Sequence, residues 1–391
     1  MTTLREAPWS AARAAAHLIA ARLESEWVRV DDLDGRVLGS DTWALCRLPS
    51  FASSAMDGWA VNGTPPWLIV GDVPAGAPWN RTLSPGEAVR IATGAVVPEG
   101  AEAVLRWEAA TVDDGHVRGE VSLGTDIRPA GEECEVDDLV ARAGTDVGPA
   151  LGGFLAATGH DQVEVIRRPR VVVVLLGDEL LTEGVPAAGR VRDSLGPQLP
   201  GWVARTGARV VRQEQVADDP GSVHHVLSSA VADADLVITT GGTADGPRDH
   251  VRGAIEALHG RLVVDRVAVR PGHPMLLAAL SGPDELPVPM VSLPGNPHSA
   301  VVGFVTLAVP VIDALLGRSP AMLESVRTAE ELRAPVDHTR LIAGNIVDGA
   351  FVLSPYGGSA MLRGLARSSG FAVVTERFVP AGAQVEWLPL P

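Results

Sequence analysis

The hydrophobic pattern divides the chain into stretches of different period. Near the start, "SAARAAAHLIAARLE" spaces its apolar residues at helical intervals and predicts an amphipathic helix from about Ser10. Residues from about 45 to 143 fall into short β-like runs broken by Gly and Pro, such as "WLIVGDVPAG" and "EAVRIATGAVVPEGAEAVLRWE", and predict a small β-rich domain. "GPALGGFLAATGHDQVEVIRRP" reads as a helix, a glycine stop and a strand. The period changes at Arg170. "RVVVVLLGDEL" is too apolar for a strand with one solvent face and predicts a central parallel strand. Strands then alternate with helices as far as the helix after Pro297, which predicts an α/β domain over about 171–318. From about 325 the β-like runs return in "TRLIAGNIVDGAFVLSPYGG" and "GFAVVTERFVPAGAQVEWLPL", giving a small C-terminal β domain over 325–391.

Composition narrows the function classes. At 391 residues the chain is long for one core and should form two to four domains. The net charge is 32 − 48 = −16, which argues against a nucleic-acid partner, because that affinity comes mainly from Lys and Arg on phosphates. There is no lysine, so any anion must be held by Arg, His or backbone N–H. Two cysteines, Cys46 and Cys134, give neither a disulfide framework nor a zinc spacing, and fit a reduced cytoplasmic setting. Arg13 and Arg22 interrupt the apolar N-terminal segment, which reads as neither signal peptide nor membrane span.

In open α/β sheets, ligands sit beyond the carboxyl ends of the strands. Three strands here end in unusual loops. "LLGDEL" places Asp178 and Glu179 at the rim. "TTGGTADGPRDH" is a Gly-rich turn, with Gly241 and Gly242 able to cradle an oxyanion and Asp245 and Asp249 alongside. "LPGNPHSA" holds a rigid, side-chain-poor turn. Pro294 and Pro297 remove donors, Gly295 and Asn296 can take positive φ, and His298, Ser299 and Ala300 present N–H groups at a helix start. Such a turn suits an anion; it also suits any tight strand-to-helix connection. Acids beside anion cradles point to a hard cation, most simply Mg²⁺ on Asp178, Glu179 and Asp249. Each acid alone also reads as a solvated carboxylate or helix cap, and Asp249 in particular could cap "HVRGAIEALHG". "GGTADG" lacks the GK[ST] ending of a P-loop. In the β-rich domain, "FASSAMDGWAV" sets Asp57 in a small-residue turn.

Taken in order, "SSAMDGWAV" (53–61), "RIATGAVVPEGAEAVL" (90–105), "IRPAGEE" (127–133), "GDEL" (177–180), "DDP" (218–220), "TTGGTADGPRDH" (239–250), "RPGHP" (270–274) and "LPGNPHSA" (293–300) resemble the molybdopterin molybdenumtransferase family, which includes MoeA and the gephyrin E domain. The resemblance implies a multidomain α/β plus β fold. Its parts would be a discontinuous helical linker domain over 1–44 and 144–170, a β-rich domain over 45–143, a molybdopterin-binding α/β domain over 171–318 and a C-terminal β-barrel over 325–391. It implies a homodimer in which the β-rich domain of one subunit faces the α/β domain of the other. The implied reaction takes adenylylated molybdopterin, releases AMP with Mg²⁺ and leaves molybdate on the dithiolene. Other molybdenum cofactor enzymes are implied as further contacts. Carried over by motif, Asp57, Thr93, Glu179 and Asp249 would be catalytic, with Asp218 or Asp219 nearby. Gly241, Gly242, Arg270, His273, Pro294, Gly295, Asn296, Pro297 and Ser299 would bind substrate.

The chain departs from the family pattern at several positions. Arg270 and His273 stand where the family has "KPGKP", Thr243, Ala244 and Asp245 replace the middle of "GGVSVG", and Glu133 replaces an Asp. Gly358, Ser359 and Ala360 stand for "GSH", and Ala343 for an arginine. The thinner positive charge leaves two other readings: a non-catalytic pterin-binding paralogue or scaffold, and another nucleotide-processing enzyme on the same α/β domain, such as a molybdopterin adenylyltransferase.

Overall fold

The structure is a computed structural model that describes residues 2–243, 250–282 and 287–391. Two compact units form, one from Met1–Glu26 with Ile166–Pro391 and the other from Trp27–Val165.

The first unit is built on a seven-stranded sheet. Its strands are β1 (Leu4–Ala7), β2 (Arg170–Leu176), β3 (Arg209–Val216), β4 (Leu236–Thr240), β5 (Arg261–Val267), β6 (Leu276–Ser281) and β7 (Pro287–Leu293), in the order β1-β5-β6-β7-β4-β2-β3. The pairs β7–β4, β4–β2 and β2–β3 are parallel, whereas β6 is antiparallel to both its neighbours. The apolar run of β2 sits at the middle of the parallel part, with Val171 to Val174 fully buried. Burial on both faces is why its pattern does not alternate. Helices Pro220–Asp233 and Val251–Ala257 pack with one face of the sheet around Val172, Val174, Val237 and Met290. Pro297–Leu315 is a continuous buried helix whose centre, Phe304–Ala308, is π-helical. It is long and apolar enough to cross a membrane, but 89% of its apolar window is buried inside the protein.

The N-terminal helix, Trp9–Leu18, follows the expected start closely. Its place does not follow the expected linker over residues 1–44. Residues 1–26 belong to the unit of the α/β sheet, where Leu4–Ala7 adds a parallel edge strand to β5. The physical cause lies in the helix. Trp9, Ala12, Ala15 and Ala16 are buried, Trp9 Nε1 donates to Thr306 Oγ1 at 3.0 Å, and Arg13 donates to the Val305 carbonyl at 2.6 Å. Arg13 thus caps one carbonyl of the π-helical segment, and Trp9 engages a side-chain hydroxyl beside it.

The same unit carries the C-terminal β region. Glu324–Thr328, Thr339–Val347, Ala350–Leu353, Gly370–Val374 and Gln384–Pro389 pair around a closed ring, because Thr339–Val347 bonds both Ala350–Leu353 and Gly370–Val374. The closed five-stranded barrel encloses Phe351, Ala372, Val374 and Trp387.

The second unit contains a six-stranded mixed sheet, with Gly58–Val61 between Glu87–Ile91 and Ala103–Arg106. Gly58 is needed there, since a Cβ would lie 2.2 Å from the Leu105 carbonyl oxygen. A separate core of Leu33, Leu38, Val147, Leu155, Val163 and Val165 joins segments from both ends of this unit.

Candidate active site

Strands β2, β4 and β7 are neighbours and parallel, so their carboxyl ends share one rim. The loops that leave them are joined by backbone contacts. The Gly241 amide donates to the Leu293 carbonyl at 2.9 Å, which ties the Gly-rich turn to the Pro-Gly-Asn-Pro turn. A Cβ on Gly241 would lie 2.9 Å from the Leu176 carbonyl oxygen, at the end of β2. Gly241 and Gly242 have φ of 81° and 64°, a region that favours glycine. Gly295 differs. Neither it nor Asn296 has positive φ, contrary to expectation; Asn296 is the extended N-cap residue, at φ −67° and ψ 123°. A Cβ on Gly295 would lie 3.9 Å from Gly241 Cα, an ordinary contact distance, so the two turns are neighbours and the site has room for a side chain.

The acids at this rim separate into different roles. Asp178 Oδ1 accepts from the Asp218 amide at 3.2 Å, so the loops after β2 and β3 meet. The Glu179 carboxylate folds back over Gly177, where a Cβ would lie 2.9 Å from Oε2. Asp219 caps the helix Pro220–Asp233 and accepts from the Gly221 and Ser222 amides, both at 3.0 Å. Those hydrogen bonds hold its carboxyl below the usual range. Of the "DDP" pair, Asp218 therefore faces the rim acids and Asp219 is the cap. Asp249 and Asp245 lie outside the described residues. Among the described residues there is no group of three His, Cys, Asp or Glu that could hold a metal. Mg²⁺ needs only one or two carboxylates with phosphate and water, and Asp178 and Glu179 are exposed oxygen donors of that kind.

The start of the helix at Pro297 differs from expectation. Its amides are not all available to a ligand. Ser299 N donates to the Ser359 carbonyl at 3.1 Å and Ala300 N to the Asn296 carbonyl at 2.8 Å. His298, buried, bonds through Nδ1 to the Gly358 carbonyl at 3.1 Å and stacks on Phe371. Burial pushes its pKa below the ordinary histidine value, against the effect of the Gly358 carbonyl. The turn is thus clasped by the barrel loop that carries Gly358, Ser359 and Ala360. Pro294, Gly295, Asn296 and Pro297 remain at its surface or just beneath it.

"RPGHP" lies against this helix: a Cβ on Gly272, at φ 105°, would lie 3.3 Å from the Ser299 carbonyl oxygen. Its two basic residues differ. Arg270 is exposed and makes no ion pair among the described residues. His273 is held by Glu6, Nε2 to Oε2 at 2.5 Å, and Arg266 pairs with the same carboxylate. Burial favours the neutral Glu6 acid, but His273 and Arg266 outweigh it and hold the carboxyl below its usual range. His273 is therefore a loop anchor in this structure, which its position in the sequence did not foretell.

In the other unit, Asp57 and Thr93 do meet. Asp57 Oδ1 accepts from the Thr93 amide at 2.8 Å. Asp57 borders a cavity of about 360 Å³ lined also by Asp72, Arg90 and Trp107. The Arg90 guanidinium lies 4.4 Å from the Trp107 ring centre. Sequence reasoning missed Arg90 and Trp107, although both lie within or just past the "RIATGAVVPEGAEAVL" segment.

Residues 7–159 match the model of the MoeA N-terminal region, domains I and II, and residues 172–314 match that of a probable molybdopterin binding domain. A molybdopterin molybdenumtransferase 2 of Mycobacterium tuberculosis (strain CDC 1551 / Oshkosh) is 34% identical, over 92% of this chain and 93% of its own. The chain belongs to the molybdopterin molybdenumtransferase family. The molybdopterin molybdenumtransferase of Nostoc sp. is 32% identical, over 94% of this chain and 89% of its own. A molybdopterin biosynthesis MoeA protein from Pyrococcus horikosii has the same fold, with a TM-score of 0.79 at 24% identity over 98% of this chain and 99% of that one.

Proposed function

We propose that this molybdenumtransferase homologue inserts molybdate into adenylylated molybdopterin and releases AMP in a Mg²⁺-dependent step, in the cytoplasm. The chain is a transferase of molybdenum cofactor biosynthesis by family. The finer reading is supported above all by the joining of the Gly241 and Pro294 turns beside Asp178 and Glu179. The two turns bring backbone and little side-chain bulk to one place, as a phosphate or oxyanion requires. Asp178 and Glu179 would hold Mg²⁺, which supplies charge neutralisation at the phosphate when bound. Arg270 would hold negative charge on the ligand, and Asp57, oriented by the Thr93 amide, would act from the β-rich unit of the second subunit of a homodimer.

A non-catalytic pterin-binding relative is the second reading. It is favoured by the engagement of His273 with Glu6 and of Ser299 N with Ser359, which leaves fewer groups for the anion. Purified chain given adenylylated molybdopterin, molybdate and Mg²⁺ should release AMP and yield molybdenum-loaded pterin. Pterin binding with no AMP release would reject the enzymatic reading in favour of the second.

A further inference from the structure

Two arginines stand side by side with no acid between them. The short strand Val269–Arg270 pairs in parallel with Thr339–Val347 so that Arg270 lies opposite Arg340. Directly opposed like charges destabilise a sheet. Elsewhere the chain places acids beside its arginines, as at Arg106–Asp126, Arg167–Asp235 and Arg252–Asp265. With 48 acids against 32 basic residues, carboxylates are in surplus, so their absence here is not scarcity. Among the described residues neither arginine makes an ion pair. Arg270 reaches the Val269 carbonyl at 3.5 Å, and Arg340 donates to the Arg333 carbonyl at 3.0 Å. Glu331, the nearby acid, is held by Arg333 at 2.6 Å.

Arg340 borders a cavity of about 490 Å³ whose wall also includes Pro271, Ala343, Tyr356 and Gly358, together with Arg333 and the Glu331 carboxylate that Arg333 neutralises. Gly358 belongs to the barrel loop that clasps the Pro297 turn, and Pro271 follows Arg270. Pro271 carries the wall up to its neighbour Arg270.

We propose that Arg270 and Arg340 form a two-arginine clamp for a tetrahedral dianion, either molybdate or the phosphate of the pterin ligand, with Arg340 an anion-binding residue of this chain. The proposal rests on the reading of Arg270 above and gives the anion a second cation. Two planar guanidinium groups can share one oxyanion through paired hydrogen bonds, and the bound charge removes their mutual repulsion.

The test is equilibrium calorimetry on the full chain with sodium molybdate alone and inorganic phosphate alone. Arg340→Gln should weaken the bound anion by about tenfold to a hundredfold. Arg340→Lys, which keeps charge but loses the fork, should recover part of that affinity. Arg270→Gln combined with Arg340→Gln should lose less than the sum of the single effects, because the two share a ligand. At the same anion concentration the melting temperature should rise less for Arg340→Gln than for the unsubstituted chain. Binding of molybdate alone assigns the clamp to the oxyanion substrate, and binding of phosphate alone assigns it to the ligand's phosphate. Equal affinity of Arg340→Gln and the unsubstituted chain for both anions would overturn the clamp, as would binding of neither anion by the unsubstituted chain. These measurements need no turnover, so they stand apart from AMP release.

Discussion

At His298 one hydrogen bond and burial together fix the charge state. A carbonyl can only accept, so the Gly358 contact requires the proton on Nδ1, while Nε2 is buried with no hydrogen-bond partner among the described residues. Protonating Nε2 would bury an unpaired charge. Because the folded pKa is depressed, the contribution to stability is complete above the unfolded value of about 6.5 and is lost as pH falls below it. Melting temperature should therefore drop between pH 7 and pH 5 in the unsubstituted chain. His298→Asn, which keeps a donor near the Nδ1 position, should flatten that part of the profile; an unchanged slope would remove His298 as its source. Other residues were less legible in sequence. Glu6 and His273 are 267 positions apart, and no local period reports such a pair. The same is true of Ser359, whose carbonyl takes the Ser299 amide, so the supposed row of free donors at the helix start could not be discounted from "LPGNPHSA" alone.

Among the elements, the parallel strands gave the clearest signal, because burial on both faces removes the polar alternation from β2 and β4. Their carboxyl-end loops were legible for the same reason: a strand that ends in "GDEL" or "TTGG" stops where its apolar run stops. The opposite ends are held by a device without a local signature. Arg167 donates to Asp235 through NH1 and NH2 at 2.6 and 2.8 Å, and the Arg170 amide donates to Asp235 at 2.7 Å. Glu24 also takes the Arg167 guanidinium. Burial alone would raise the Asp235 carboxyl, but Arg167 and the Arg170 amide hold it below its usual range. Its stabilisation is present above the unfolded carboxylate value and disappears as pH falls through the lower folded one. Removing Arg167 leaves Asp235 the Arg170 amide and a guanidinium at 3.5 Å, so the loss should be that of a charged hydrogen-bond partner, about 1.5–3 kcal/mol. Arg167→Ala should show that loss in urea unfolding of the α/β unit, whereas a loss below about 1 kcal/mol would reduce the pair to a surface ion pair.

For the molecule as a whole, the order of β-rich, α/β and barrel regions was visible in the changing hydrophobic period. The home of the first 26 residues was not, since the Trp9–Leu18 helix finds its partners some 300 residues later, at Val305 and Thr306. The proposed function needs Asp57 from one compact unit and Glu179 from the other to serve one reaction. If a homodimer brings them together across subunits, Asp57→Ala and Glu179→Ala proteins should each be inactive alone. Heterodimers of the two should regain activity at one of two sites. Verified heterodimers with no activity would reject sharing between subunits.

In the proposed function the rim acids serve Mg²⁺-dependent AMP release. The most direct test is AMP release from adenylylated molybdopterin, with molybdate, as a function of Mg²⁺ for the unsubstituted chain and for Glu179→Gln, which keeps the shape of the side chain and removes its charge. The unsubstituted chain should be stimulated by Mg²⁺, and Glu179→Gln should still bind the pterin while its Mg²⁺-stimulated release is abolished. Release by Glu179→Gln equal to that of the unsubstituted chain at every Mg²⁺ concentration would contradict the assignment.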